Sequence, residues 1–218
     1  MNIRYSIFCK QVLEFLDSFS SYNESKSSIK EANDLYNWQY LKEAMTFRCH
    51  VHLYRSLNRI GSRVEVHKDN LFDAWNNSQV FYFQKLALAF GELFIFNTAI
   101  EHLKTNISSN EDLLKIFSEL IVLFTLNCLE RDFCALRDND FIGGEIGDVV
   151  KEEILKICKN FKCDLIKIID AISPPDYVLN SPIGKSTGLV HIIIFNYIKK
   201  QIGNGKLFQY NCIQSESI

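Results

Sequence analysis

The fold is decided by residues 150–172, which read VKEEILKICKNFKCDLIKIIDAI. Apolar side chains recur through this stretch at steps of three and four, at Val150, Ile154, Ile157, Phe161, Leu165, Ile168 and Ile172. These steps follow the 3.6-residue period of an α-helix, so the side chains share one face. The stretch therefore predicts an amphipathic helix over residues 146–172.

The same period appears in two earlier stretches of the chain. One stripe runs through Met45, Cys49, Leu53, Leu57, Ile60 and Val64, and another through Leu113, Phe117, Leu120, Phe124 and Cys128. Between them, residues 71–104 are apolar on more than one side, which predicts a helix at the centre of a bundle. No useful stretch alternates as a β-strand does. The sequence thus predicts an all-α fold, an antiparallel up-down bundle of four long helices at about 38–65, 71–105, 110–137 and 146–172.

Polar residues mark where these helices begin. Asp69 or Asn70 can cap the helix opening at 71, and Ser109 or Asn110 the next one, because their short side chains accept hydrogen bonds from unpaired backbone N–H groups. Glu111 and the aspartate after it suit the positive first turn of that helix. Residues 138–144, which end in two glycines, separate the third helix from the fourth.

Shorter elements flank the predicted bundle. We expect a helix over residues 3–19, an exposed serine-rich connector over residues 20–28, and a helix near residues 191–201. The predicted organisation is an N-terminal helix and connector over 1–34, the bundle over 35–188, and a C-terminal helix and tail over 189–218.

Composition excludes several classes of partner. The 218 residues carry a formal net charge of -2 and no long basic run, which argues against nucleic-acid binding. The apolar run over residues 80–96 is interrupted by Gln84, Lys85 and Glu92, so no membrane span is predicted there. The seven cysteines are odd in number and scattered, which favours reduced thiols.

Few patterns suggest chemistry, and each has a simpler interpretation. Residues 184–187 (GKST) resemble the end of a phosphate-binding P-loop, but Leu179 stands where the motif needs its first glycine. Cys49 and His52 share a helix face, yet two ligands do not make a zinc site. Glu92 and Glu101 lie on an apolar helix, where a paired or solvent-reaching charge is the usual case. We therefore predict no catalytic, cofactor-binding or metal-binding residue. A small acyl carrier that uses the bundle interior remains an open alternative.

Two segments resemble a known family. Residues 174–185 (PPDYVLNSPIGK), preceded by IIDA, resemble the closing signature of peroxisomal acyl-CoA oxidases, most of all the branched-chain (pristanoyl-CoA) type. Residues 72–80 (FDAWNNSQV) and 86–93 (LALAFGEL) resemble the central C-terminal helix of the same family. The resemblance runs from about Trp38 to Gly188. We expect the proline pair in this segment to end the last long helix. The chain should then pack along the side of the bundle, with Tyr177, Val178, Leu179 and Ile183 as its apolar anchors.

The resemblance implies the C-terminal helical domain of an FAD-dependent enzyme that oxidises acyl-CoA to trans-2-enoyl-CoA and reduces oxygen to H2O2. The family's catalytic glutamate and FAD-binding segments lie upstream of the matched part, so no FAD is expected on this chain alone. Implied partners are a second copy of the chain or a full-length oxidase, with acyl-CoA as the family substrate. The implied compartment is the peroxisome, although the last three residues, 216–218 (ESI), differ from a Ser-Lys-Leu-type signal. The competing hypothesis is a non-catalytic bundle that dimerises with or regulates an intact oxidase.

Overall fold

The computed structural model of the chain describes residues 12–19, 26–107, 110–162, 164–179, 184 and 188–203. Within these ranges the regular structure is helical and contains no strand, which confirms the predicted all-α class. The described residues fall into two compact units, the first ending at Asn160 and the second beginning at Phe161. The predicted boundaries at residues 34 and 188 stay predictions.

The elements follow one another in this order: α1 (12–18), a 3-10 turn (Ala32–Tyr36), α2 (Trp38–Glu65), α3 (Leu71–Asn76), a π-turn (Gln79–Phe83), α4 (Gln84–His102), a second π-turn (Leu103–Ile107), α5 (Glu111–Arg131), α6 (Phe133–Arg137), α7 (Ile146–Phe161), α8 (Leu165–Ile172), α9 (Asp176–Leu179) and α10 (Val190–Gly203). Helix α10 confirms the helix predicted near residues 191–201. Of the predicted N-terminal helix, residues 3–11 lie outside the described residues, as do residues 20–25 of the connector.

Helix α2 is the centre of the first unit and begins and ends where the sequence predicts. Asn37 caps it by accepting hydrogen bonds from the backbone N–H groups of Gln39, at 2.9 Å, and Tyr40. Its first half buries Leu41 and Met45 against neighbouring helices, whereas Leu57 near its other end is exposed. Because α2 packs against α3, α4, α5 and α6, it organises the core of this unit.

The predicted helix over residues 71–105 is wrong as one continuous α-helix. Asn70 caps α3 as expected, but α3 ends at Asn76, and the chain then forms a π-turn before α4 begins. In this turn the N–H of Phe83 reaches the carbonyl of Ser78, five residues back, at 3.2 Å. Ser78 itself is buried, and its hydroxyl donates to the carbonyl of Ala74 at 2.6 Å. Because the closure from Phe83 to Ser78 spans one residue more than an α-helical turn, α3 and α4 cannot form one continuous α-helix.

The other two predicted long helices are also divided. The third begins as predicted, with Asn110 accepting from the N–H of Leu113 at 3.1 Å, but it breaks at Asp132 into α5 and α6; the alternative cap Ser109 lies outside the described residues. The fourth ends at Phe161, and α8 begins at Leu165. Asp132 and Asp164 lie at these breaks, and aspartate competes for backbone hydrogen bonds in helices. The four-helix bundle therefore stays a prediction, while α2, α4 and α5 contact one another directly.

Helix α7 packs within the first unit along the predicted stripe. Val150 and Ile157 are buried. Across from them, the hydroxyl of Tyr36 donates to Glu153 Oε2 at 2.9 Å, and burial and this carboxylate raise the pKa of Tyr36 to about 12. The preceding loop adds Phe141, whose ring stacks on Phe47 with centroids 3.9 Å apart. The loop over residues 138–144 is thus part of the core rather than a simple break.

Candidate functional site

Ionisable side chains from three helices meet in the first unit and form what we call the charge cluster: Arg48 and His52 on α2, Glu92 on α4, Arg131 at the end of α5, and Asp132 after it. Arg48 donates through Nη1 to Glu92 Oε2 at 2.6 Å and through Nε to Asp132 Oδ2 at 2.5 Å. Arg131 donates to the other oxygen of Glu92. His52 Nε2 lies 3.2 Å from Asp132 Oδ2, although its direction misses hydrogen-bond geometry. Two guanidinium groups thereby balance two carboxylates.

Helix geometry places these groups together. Arg48 and His52 are one turn apart on the inner face of α2, so both point toward α4 and α5. Arg48 is only 2% exposed, and a buried guanidinium needs paired carboxylates. Asp132 directly follows the last residue of α5, and there its carboxylate accepts the hydrogen bond from Arg48. The cluster therefore joins α2, α4 and α5 at one point.

Electrostatics holds both carboxylates ionised. Burial alone would raise the pKa of Glu92, but hydrogen bonds from Arg131 and Arg48 outweigh it, so the pKa lies below its usual value. Burial would also raise the pKa of Asp132, yet His52 and Arg48 together hold it far below the usual range for aspartate. A carboxylate with a lowered pKa and engaged oxygens is a poor general base. Glu92 thus belongs to the paired charges that the sequence predicted.

We expect acid to destabilise the first unit through these two carboxylates. Since their folded-state pKa values are lowered, they contribute stability that is present above the unfolded pKa values, about 4, and lost as pH falls below them. The urea midpoint should decline most steeply between about pH 5 and pH 3, where these two carboxylates take up protons on unfolding. The Arg48→Met variant should start lower at pH 7 and decline less. A wild-type midpoint that does not change down to pH 3 would contradict this expectation.

The cysteines near the cluster are poorly suited to nucleophilic chemistry. Burial raises the pKa of Cys49 to about 12 and that of Cys128 to about 11, with the Glu92 charge also contributing at Cys128. A thiol with such a pKa holds almost no thiolate at neutral pH. In the described part of the chain, no group of three or more His, Cys, Asp or Glu side chains is placed to hold a metal. Cys9, Cys163 and Cys212 lie outside the described residues.

A cavity of about 780 Å³ lies where α1, the start of α2 and the end of α4 meet, and it contains the second carboxylate singled out from sequence, Glu101. Trp38, Phe96 and Ile100 supply apolar walls, while Lys42 and Lys104 supply charge. An acyl carrier needs a predominantly apolar pocket. The mixed lining therefore does not favour the carrier alternative, and Glu101 shares this lining with two lysines.

Helix α4 and the π-turn before it leave a row of apolar side chains exposed in this chain, and we call this row the α4 face: Val80 and Phe81 in the turn, Leu88 and Ile95 on the helix. Phe81 is 75% exposed and Leu88 50%. The helical stretch Gln79–Asn106 is also long and apolar enough to cross a membrane. This is weak evidence for a membrane span, because the core helix of a water-soluble protein can be equally long and apolar. The prediction that this helix lies at the centre of a bundle is wrong for this face, since its side chains are exposed although α4 packs against α2 and α5 elsewhere.

The second unit is also rich in exposed apolar groups. Ile166 and Ile172 on α8 and Phe195 on α10 are exposed. After the proline pair, α9 forms as a short helix, but Tyr177 is 84% exposed and Val178 is exposed too, so the prediction that they are buried anchors is wrong. Ile183 and residues 185–187 of the P-loop-like sequence lie outside the described residues.

Sequence reasoning missed most of the charge cluster. It identified Glu92 and the shared face of Cys49 and His52, but not Arg48, Arg131 or Asp132. A usable signal was present, because Arg48 falls at helical spacing among the apolar residues Leu41, Ala44 and Val51, just as Glu92 lies among the apolar residues of α4. Opposite charges at apolar positions of two helices indicate a buried pair.

The acyl-CoA oxidase family model matches residues 37–211. Human peroxisomal acyl-coenzyme A oxidase 3 is 36% identical over 118 residues, which cover 54% of this chain and 17% of that protein. Caenorhabditis elegans acyl-coenzyme A oxidase acox-3 is 24% identical over 150 residues, which cover 68% of this chain and 22% of that protein. The chain therefore spans about a fifth of the length of these curated relatives.

Solved structures show the same fold. Arabidopsis thaliana acyl-CoA oxidase 1 superposes with a TM-score of 0.73 at 16% identity, over 85% of this chain and 27% of that one. Acyl-CoA oxidase 3 from Yarrowia lipolytica superposes with a TM-score of 0.66 at 21% identity, over 83% of this chain and 25% of that one. In both, the similarity covers about a quarter of the oxidase chain.

Proposed function

The chain belongs to the acyl-CoA oxidase family, and we propose that it forms the C-terminal helical part of a peroxisomal FAD-dependent acyl-CoA oxidase. The observation that carries this proposal is the family match over residues 37–211, most of the chain. The proposed reaction of the complete enzyme converts acyl-CoA and O2 into trans-2-enoyl-CoA and H2O2, and FAD supplies its redox chemistry. The peroxisomal location follows the human relative's name.

We assign no residue of this chain to FAD or to catalysis. A flavin ring needs a planar apolar slot, whereas the cavity beside α1 and α4 is lined by Lys42, Glu101 and Lys104. Glu92, the most buried carboxylate on α4, is held by two arginines. We propose that the flavin and catalytic parts belong to a region that this chain does not include.

The open apolar surfaces support a role in association. The α4 face is a row of exposed apolar side chains, and α8 and α10 carry further exposed apolar side chains. Contiguous exposed apolar residues mark surfaces that another protein part covers. We propose that the remaining oxidase domains, or a second oxidase subunit, cover the α4 face.

The alternative is a free-standing bundle that dimerises with or regulates a full-length oxidase. The exposed α4 face favours it equally, since a separate subunit could cover the same residues. The two functions differ in one respect: an enzyme part acts in the same polypeptide as the flavin domain, whereas a regulator joins an oxidase that already has its own C-terminal part.

Flavin content and peroxide production test the proposal that this chain is a part of an oxidase without its flavin and catalytic regions. The purified chain should show no flavin absorbance bands and release no peroxide with straight or branched acyl-CoA. Added in trans to an acyl-CoA oxidase 3 that lacks its C-terminal part, it should restore peroxide production. If it instead changes only the activity of the intact oxidase, the regulatory alternative is correct. Bound flavin with peroxide release by the chain alone would place an active site on it and contradict the proposal.

Matched variants test the role of the α4 face. Leu88→Lys combined with Ile95→Lys changes two exposed residues, so the chain should keep its helicity but lose association with the oxidase in pull-down and activity assays. Leu155→Lys alters an equally exposed leucine on α7 and should leave association unchanged. Equal loss with both variants would show that the α4 face is not the contact surface.

A further inference from the structure

Helix α1 contacts a buried histidine of α2, His50, which is 3% exposed. The Nε2 atom of His50 lies 3.1 Å from the hydroxyl oxygen of Ser18 and 3.3 Å from the carbonyl oxygen of Phe15. The Ser18 hydroxyl donates to the same carbonyl at 2.8 Å. Because that hydroxyl proton is already engaged, the N–H at Nε2 is the donor to both oxygens, and a second proton on the ring would have to occupy Nδ1.

Two phenylalanine rings enclose the imidazole of His50. The ring of Phe15 stacks on it with centroids 5.0 Å apart, and the ring of Phe19, directly after α1, lies edge-on to it at 5.4 Å. Phe15 is 8% exposed and also packs against Phe90 of α4, with centroids 5.4 Å apart. One side chain, Phe15, therefore joins α1 to both α2 and α4.

Burial lowers the pKa of His50, and the hydrogen bond to the Phe15 carbonyl opposes this shift without cancelling it. A cavity of about 410 Å³ borders the histidine. The charged groups on the described elements around it are Lys26 before α2, Lys42 and Glu43 on α2, Glu14 and Asp17 on α1, and Glu92 on α4. None of these charges is a cause of the lowered pKa. Since Phe15 and Phe19 contribute to the burial, the proton affinity of His50 depends on whether α1 covers it.

From this arrangement we propose that α1 is a pH-dependent cover of the first unit, packed on it while His50 is neutral and released when His50 takes up a proton. A covered imidazolium has lost its water, whereas an uncovered one is hydrated, so protonation favours the released state. Release would widen two cavities, since Glu14 lines the cavity of about 780 Å³ and Ser18 the cavity of about 410 Å³. The inference does not depend on the proposed oxidase role, and α1 precedes the residues that the family model matches.

The lowered pKa of His50 gives the direction and the pH range of the effect. An uncovered histidine has a pKa of about 6.5, and covering by α1 lowers it. Covering is therefore strongest above about pH 6.5 and weakens as pH falls, by up to about tenfold for each pH unit, until His50 is protonated in the covered state too. This loss begins at a higher pH than the loss of stability from Glu92 and Asp132.

Hydrogen exchange of the backbone amides of residues 16–19 in the full chain tests the proposal, because a short helix is protected from exchange only while it is packed. Between pH 7.5 and pH 5.5, protection corrected for the intrinsic exchange rate should fall several-fold, up to about tenfold, at these amides. The amides of residues 44–51 in α2 should stay protected. Equal protection of residues 16–19 at both pH values, or stronger protection at pH 5.5, would overturn the proposal.

Matched histidine variants identify the group that responds to pH. His50→Gln keeps a side-chain N–H donor but cannot take up a proton, so the protection of α1 should not change between the two pH values. His67→Gln removes an exposed histidine elsewhere on the chain and should respond to pH as the unsubstituted protein does. The same pH response in both variants would show that another group releases α1, which contradicts the assignment to His50.

A proton NMR titration of His50 tests the same coupling without altering the histidine. Phe15→Ala removes the ring that joins α1 to α2 and α4, so it should release α1 and raise the pKa of His50 toward about 6.5. An unchanged pKa of His50 in Phe15→Ala would mean that α1 does not control its protonation. That result would overturn the proposal even if His50→Gln fails to fold.

Discussion

Replacing Arg48 with methionine is expected to lower the free energy of unfolding by about 3–5 kcal/mol. The side chain is 2% exposed and pairs with Glu92 and Asp132 through bonds of 2.6 and 2.5 Å. Methionine fills a similar volume but leaves two buried carboxylates with one compensating guanidinium fewer. Urea denaturation followed by circular dichroism at pH 7 measures the change.

Two further variants separate charge from packing. Arg55→Met lies two turns further along α2 on an exposed side chain, so it should change stability by less than about 0.5 kcal/mol. Combining Arg48→Met with Glu92→Gln and Asp132→Asn removes the unpaired charges and should recover part of the loss. If Arg48→Met costs no more than Arg55→Met, the charge cluster does not stabilise the fold.

Replacing Phe96 with alanine is the second large effect, an expected loss of about 3–5 kcal/mol. Phe96 is 1% exposed on the inner side of α4, so alanine leaves a cavity in addition to the lost burial. Its neighbour Ile95 is 53% exposed and belongs to the α4 face. The matched Ile95→Ala change should cost less than about 1 kcal/mol in the isolated chain.

The pair of variants is measured in one urea series. Similar losses of unfolding free energy for the two variants would mean that α4 is rotated relative to its orientation in the structure. Ile95→Ala should weaken the complex with an oxidase, although it barely changes the stability of the isolated chain.

How well the sequence predicted the helices depended on what interrupts them. Helix α2 was predicted at its observed ends, and the structure adds the reason for its start, since Asn37 caps it there. The helix predicted over 146–172 was wrong at its middle, since Phe161 and Leu165 keep helical spacing across the break. Periodicity records which residues share a face, and it continues across a short interruption.

The charge cluster could be predicted only in part because its partners are far apart in the chain. Arg48 and Glu92 are separated by 44 positions, and Arg48 and Asp132 by 84. A single sequence gives the residue types on each helix but not which helices touch. The exposure of the α4 face was missed for a related reason. The sequence of a hydrophobic helix has the same pattern whether the helix is covered by its own chain or by another protein.

The π-turn at Gln79–Phe83 has a consequence for comparing this chain with its relatives. A turn closed by bonds five residues apart holds one residue more than an α-helical turn, so the helices on either side are out of phase. Deleting one residue there would shift the helical register of α3 relative to α4 by about 100°. A relative without this extra residue would present Trp75 in a different direction while keeping every α4 contact. Alignments in this region should therefore allow a one-residue gap inside a helix, where gaps are usually penalised most.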